Sequence, residues 1–178
     1  MKKSFVVVIY SVIFFMISSF INLSAAVPSQ GIAPDFTLSD TEGVTFTLSN
    51  LKGKTVLLSF GASWCFFCVE EVPTLIKIQK KNRDKNFQLL AINLDGNIDK
   101  AKKFKYKQQL NYPLLFDADD KVANAYSVRG IPANFVVDEY GQVYSFGPDI
   151  ESAQKKVNEL LKQSKKIRSN KNNKSTDR

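Results

Sequence analysis

The chain contains no histidine, and cysteine occurs only twice in its 178 residues. Histidine is the commonest metal ligand and the side chain whose ordinary pKa suits it best to proton transfer near neutrality. Without it, two thiols alone argue against a zinc or haem site within this chain. The two methionines, Met1 and Met16, both fall in the leader, so the body of the chain lacks the thioether that a soft metal such as copper would recruit. Cationic excess is also absent from the body. The formal net charge is +8, yet Val27–Leu161 holds 16 Lys and Arg against 16 Asp and Glu. The surplus sits at Lys2, Lys3 and in Lys162–Arg178, where seven basic residues face Asp177 alone. A neutral body with charged ends argues against a nucleic-acid-binding face. The end segment, rich in Asn, Ser and Lys, reads as a basic disordered tail over residues 162–178. With 44% hydrophobic and 12% aromatic residues, the body can bury an ordinary core.

The first 26 residues read as an address. Met1-Lys2-Lys3 is a short positive start, Phe5–Ile17 is densely apolar, and Ser24-Ala25-Ala26 offers small residues for cleavage. This is the pattern of a secretory signal peptide. The alternative is an N-terminal membrane anchor, since Phe5–Leu23 approaches the ~20 residues that span a bilayer. Either way the lysines stay inside and the body is exported, to a periplasm or the outer face of the membrane. Membrane contact would come only through this segment, if it is not cleaved.

Export permits disulfide chemistry. The two cysteines, Cys65 and Cys68, lie three positions apart in the run WCFFC. A bridge across so short a loop adds little chain-entropy stabilisation, so it makes a poor staple and reads better as a working redox pair. The apolar run Thr55–Phe60 has the character of a central strand, and helical spacing begins near Cys65 and passes through Val69, Val72, Leu75 and Ile76. Cys65 therefore falls where a strand hands over to a helix. The free N–H groups and the dipole at a helix start favour an anion and lower a thiol pKa from ~8.5 into the range of activated cysteines. Cys65 is the expected nucleophile, and Cys68, one turn on, the resolving thiol. Such a cycle needs no metal and no cofactor.

Further strands are expected at Phe87–Leu94, Pro113–Phe116, Ala133–Val137 and Gln142–Phe146, with short β-like runs around the Asp40–Gly43 turn. Helices are expected at Ile98–Leu110, Asp119–Tyr126 and Glu151–Leu161, and Pro73 should kink the helix that follows the cysteines. Strands alternating with helices and ending in a hairpin imply an α/β sandwich with a mixed sheet.

Several segments together resemble the thioredoxin superfamily, in particular its exported, TlpA/ResA-like thiol–disulfide oxidoreductases. They are Ala33–Leu38, the run Val56–Cys65, Pro73 five residues after Cys68, and Gly130-Ile131-Pro132 ahead of a strand. The likeness covers roughly residues 31–161. It implies a thioredoxin-like sandwich with a central mixed sheet flanked by helices, an N-terminal β-hairpin, and a helix–strand insertion over Ile98–Phe116. It also implies that the Ile131–Pro132 bond is cis and lies against the cysteine pair. Trp64, Phe66, Phe67, Ile131 and Pro132 are then the expected substrate contacts beside the catalytic Cys65 and Cys68. The implied activity is the reduction of disulfides in envelope proteins, apocytochrome c among them, with electrons from a membrane-embedded donor.

The sequence departs from the pattern in places. Ser59 stands where thioredoxin keeps a buried acid, and Asn134 stands where threonine is common. Asp95 lies near the position of an acid beneath the thiols, while Glu70 and Glu71 read as solvated helix surface. Other readings carry less. A disulfide-forming oxidant of the same fold would need a strongly stabilised Cys65 thiolate. A peroxidase would need a proline and a threonine or serine where Leu58 and Ala62 stand. A thiolate-based copper or haem carrier would have neither histidine nor methionine in the body of the chain to assist it.

Overall fold

The computed structural model describes residues 29–176; the leader assigned to residues 1–26 lies outside the described residues. A central sheet of six strands has the order β1-β8-β7-β4-β5-β6. Its strands are β1 (Ser29–Ile32), β4 (Thr55–Gly61), β5 (Phe87–Asn93), β6 (Leu114–Phe116), β7 (Ala133–Val137) and β8 (Gln142–Gly147). β4, β5 and β6 run parallel, whereas β7, β8 and β1 add in antiparallel fashion. The hairpin of β2 (Thr37–Ser39) and β3 (Thr45–Thr47) forms a small second sheet, tied to β6 by a bridge between Asp40 and Leu115. The mixed thioredoxin-like sheet, the N-terminal hairpin and the inserted helix–strand segment thus take the places expected of them.

Alternation along β4 divides the core. Val56, Leu58 and Phe60 point to one face, where they meet Leu90, Ile92, Phe135 and Tyr126, the last lying just after α3 (Lys121–Ala125), under a lid made by Phe36 and Leu48 of the hairpin region. Leu57 points to the other face, covered by α1 (Phe66–Asn82), α2 (Ile98–Gln108) and α4 (Ile150–Thr176) through Val72, Leu75, Ile78, Ala101, Ala153 and Val157. Strands buried on both faces read as continuous apolar runs, which is why Thr55–Phe60 and Phe87–Leu94 stand out in the sequence. Each fully buried Leu, Ile or Phe contributes about 1.5–3 kcal/mol relative to exposure. Pro73 lies inside α1 and is exposed, on the side away from the sheet.

The closing helix departs from expectation. It does not end at Leu161 but continues to Thr176, so the stretch from Lys162 to Thr176, read as a disordered tail, is helical. Its extension is held from the side. The Ser164 hydroxyl donates to Glu139 at 2.7 Å, and Arg168 donates to the carbonyl of Gly53 at 3.2 Å. Lys, Gln and Arg are good helix formers, and a helix already nucleated on the sheet propagates at little further cost. The other difference is β1, which pairs with β8 before the residue at which the resemblance begins. Among the described residues no helix is long and apolar enough to cross a membrane.

Candidate functional site

The end of β4 delivers the chain to the site. Gly61 closes the strand, and the backbone of Leu94, just past β5, donates to its carbonyl at 3.0 Å. The turn Ala62-Ser63-Trp64 is then anchored by Asp95, whose Oδ1 accepts from both the N–H and the hydroxyl of Ser63 at 2.9 Å each. Asn93 donates to the second oxygen of Asp95 at 2.8 Å. Asp95 therefore holds the loop that presents the cysteines, a different task from lying beneath them.

Cys65 is the N-cap of α1, with extended backbone, and its sulfur accepts the N–H of Cys68 at 3.2 Å. A helix start leaves N–H groups without intrahelical partners, so the sulfur here occupies the place of a capping oxygen. Cys68 follows one turn later on the same face, its Cα 5.2 Å from that of Cys65, and the two are joined in a disulfide. The sulfur of Cys65 lies 3.7 Å from the carbonyl oxygen of Ile131, and the Ile131–Pro132 bond is cis. Exposure does not separate the two thiols, since each is 7% exposed. Their neighbours do: Cys65 faces the Ile131 carbonyl, whereas Cys68 lines a small, partly open pocket together with Gly61 and Glu71. A side chain at Gly61 would place its Cβ 3.2 Å from the Cβ of Cys68, so glycine is what lets the strand pass so close.

The expected contact residues gather around this disulfide. Trp64, Phe66 and Phe67 are 68%, 69% and 70% exposed, and the two phenyl rings meet edge to face at 5.6 Å. Ile131 packs on Ala62 and both cysteines, and Pro132 is buried behind it. Three large apolar side chains left in water around a shielded sulfur pair are an unusual concentration for a surface that meets only solvent.

Glu71 does not lie on the helix surface. It is 7% exposed, and its carboxyl accepts hydrogen bonds from Asn134 Nδ2 at 2.9 Å and from Ser59 Oγ at 3.5 Å. Burial pushes its pKa from an ordinary 4.5 up to about 7, against the downward pull of those two hydrogen bonds. The buried phenol of Tyr112 lines the same pocket, and burial, reinforced by the Glu71 charge, raises its pKa. Glu70, its neighbour, is exposed as expected. A signal for Glu71 was present in the sequence. It stands three residues after Cys68 and four before Leu75, in phase with the apolar stripe of α1.

Comparison with known proteins agrees with this geometry. The AhpC/TSA family model matches residues 30–146. The chain is 33% identical over 126 residues to the thiol-disulfide oxidoreductase ResA of Geobacillus thermodenitrificans, covering 71% of this chain and 72% of that one. It is 31% identical over 144 residues to ResA of Geobacillus kaustophilus, covering 80% and 83%. Among solved structures, a secreted Mycobacterium tuberculosis disulfide oxidoreductase homologous to Escherichia coli DsbE superposes with a TM-score of 0.58 at 26% identity, over 67% of this chain and 92% of that one. The chain belongs to the AhpC/TSA family, with the thioredoxin fold, and it is a thiol–disulfide oxidoreductase.

Proposed function

We propose that this AhpC/TSA-family oxidoreductase is exported and works as a reductant of disulfides in envelope proteins, apocytochrome c among the candidate substrates. The observation that carries the reading is the placement of Cys65. Its sulfur caps α1 and receives the Cys68 N–H, so the same site that holds the disulfide would stabilise a thiolate once the pair is reduced. The exposed Trp64, Phe66 and Phe67 suit an extended, incompletely folded polypeptide, whose apolar side chains are still accessible. Export is supported by the signal-like leader and by the likeness to a secreted oxidoreductase.

In the cycle, the reduced Cys65 thiolate attacks one sulfur of a substrate disulfide. A Cys65–substrate bond forms, and the other substrate sulfur leaves as a thiolate and takes a proton. Cys68 gives its proton to Glu71, which at a pKa of about 7 is poised to exchange protons near neutrality. The Cys68 thiolate then attacks Cys65, closing the disulfide seen here and releasing the second substrate thiol. The substrate gains two electrons and the protein loses two. A membrane-embedded dithiol donor returns them by the same exchange in reverse. Cys65 and Cys68 are the catalytic pair, and Trp64, Phe66, Phe67, Ile131 and Pro132 are the substrate wall.

The direction is tested by the reduction potential measured against glutathione at pH 7. A reductant lies near the thioredoxin value of about −270 mV, whereas a value approaching the roughly −120 mV of DsbA would make the protein an oxidant.

A further inference from the structure

Ser59 and Asn134 are direct partners across the β4–β7 ladder. Both carry side chains on the face that α1 covers, and both are buried. They meet the carboxyl of Glu71 from the sheet side, Asn134 Nδ2 on one oxygen and Ser59 Oγ on the other. Ser59, Glu71 and Cys68 line one mostly apolar pocket, with Val72, Leu75, Phe104 and Leu110 among its walls and Asn93 and Tyr112 as further polar members, and Asn134 reaches Glu71 from beside it. Buried polar groups cost free energy unless they are hydrogen-bonded. Asn134 is only half satisfied. Its Nδ2 donates to Glu71 and, at 3.3 Å, to the carbonyl of Gly147, while its buried Oδ1 has no partner among the described residues. An apolar residue of similar size would avoid that orphan oxygen, which points to the amide N–H as the group the site requires.

We propose that Asn134 is a positioning residue for the thiol–disulfide reaction. It holds one oxygen of Glu71 as a permanent acceptor and leaves the other, beside Ser59, to take up and return the Cys68 proton. The reason lies in donor chemistry. An amide NH₂ can only donate, so the Glu71 oxygen facing it accepts in both protonation states. A serine hydroxyl donates or accepts by rotating, so the oxygen facing Ser59 can be bare or protonated without losing its partner. When Cys68 ionises, its proton moves to that oxygen. After Cys68 has attacked Cys65, the proton passes to solvent or to the departing substrate thiolate. This inference rests on Glu71 as the acceptor for Cys68 and adds what orients it.

The titratable groups facing Glu71 are Cys68 from α1 and Tyr112 from the segment before β6. β5 contributes Asn93, α2 contributes Phe104, and α4 contributes apolar Ala153 and Val157 to the same layer, none of which ionises near neutrality. A carbon-13 NMR titration of the Glu71 carboxyl in the oxidised protein, where neither cysteine titrates, therefore reads the coupling directly. Removing the N–H donor in Asn134→Ala is expected to raise the midpoint by about one pH unit, the worth of a hydrogen bond to a charged group. Asn134→Thr keeps a donor and a side chain of intermediate size, and is expected to restore most of the shift. The pH profile of mixed-disulfide resolution by Cys68 should move with the NMR midpoint in Asn134→Ala, and Asn134→Ala should have no further effect in a Glu71→Gln background. An unchanged Glu71 midpoint in both Asn134 variants would overturn the proposal, as would an equal displacement of the resolution profile in the Glu71→Gln background. If Glu71→Gln leaves that profile untouched while the midpoint still responds to Asn134, Glu71 is not the acceptor, and both the reading of Glu71 and the proposal built on it fall.

Discussion

The backbone N–H of Cys68 meets the sulfur of Cys65 across 3.2 Å, so in the proposed cycle the resolving residue would also help to hold the nucleophile's charge once the disulfide is reduced. In that cycle the first turn of α1 would serve two stages. It would favour the thiolate that starts the exchange and carry, one turn on, the thiol that ends it.

The first prediction concerns that charge. In the reduced protein, alkylation of Cys65 by iodoacetamide should follow a titration midpoint below pH 7, because the helix start stabilises the anion. A midpoint near 8.5, the value of an unperturbed cysteine, would count against activation.

Glu71 makes stability depend on pH in a definite direction. Its folded pKa, about 7, lies above its unfolded value of 4.5, so the folded state binds the proton more tightly. The contribution to stability is fully present below about pH 4.5 and is lost as pH rises through 7. The whole change is on the order of 3 kcal/mol. Denaturant midpoints of the oxidised protein from pH 4.5 to 8 should show this fall, and Glu71→Gln should flatten it. A slope that survives in Glu71→Gln would place its origin elsewhere.

Gly61 is the third test. A methyl group there would approach the Cβ of Cys68 to 3.2 Å and its sulfur to 3.4 Å. Gly61→Ala should destabilise the oxidised protein by about 1–3 kcal/mol, the usual cost of overpacking, as read from urea midpoints. A neutral effect would show that α1 shifts freely away from β4.

Truncation after Leu161 is the fourth. The core residues of α4, Ala153, Val157 and Leu160, all precede the cut, while Ser164 and Arg168 supply only the contacts to Glu139 and Gly53. Insulin reduction should persist, with a stability loss of about 1–2 kcal/mol from one part-buried hydrogen bond and a half-exposed ion pair. Loss of activity in the folded, truncated protein would mean that the helical extension reaches the site's function.

Much of this architecture was legible in the residues. The doubly buried strands announced themselves as apolar runs, and Ala133–Val137 matches its expected bounds. Cys65 at a strand-to-helix junction followed from spacing alone. The sequence left the register of Asp95 open, because its task, holding Ser63, depends on how β5 ends beside β4, a long-range register that a single sequence does not display. Glu71 was misread because an acidic residue next to Glu70 suggests solvent. Its burial depends on Ser59 and Asn134 meeting it from two strands paired across the sheet. The extension of α4 was missed because a run of Lys, Ser and Asn looks solvated, and its anchors, Glu139 and Gly53, lie in distant loops.

The central claim, that Cys65 attacks and Cys68 resolves, is tested most directly by trapping. Incubated with a disulfide-bonded substrate protein, reduced Cys68→Ser should accumulate a mixed disulfide through Cys65, visible by mass spectrometry and reversed by dithiothreitol, while Cys65→Ser accumulates none. Adducts formed through Cys68 in the Cys65→Ser protein, with none in Cys68→Ser, would contradict it.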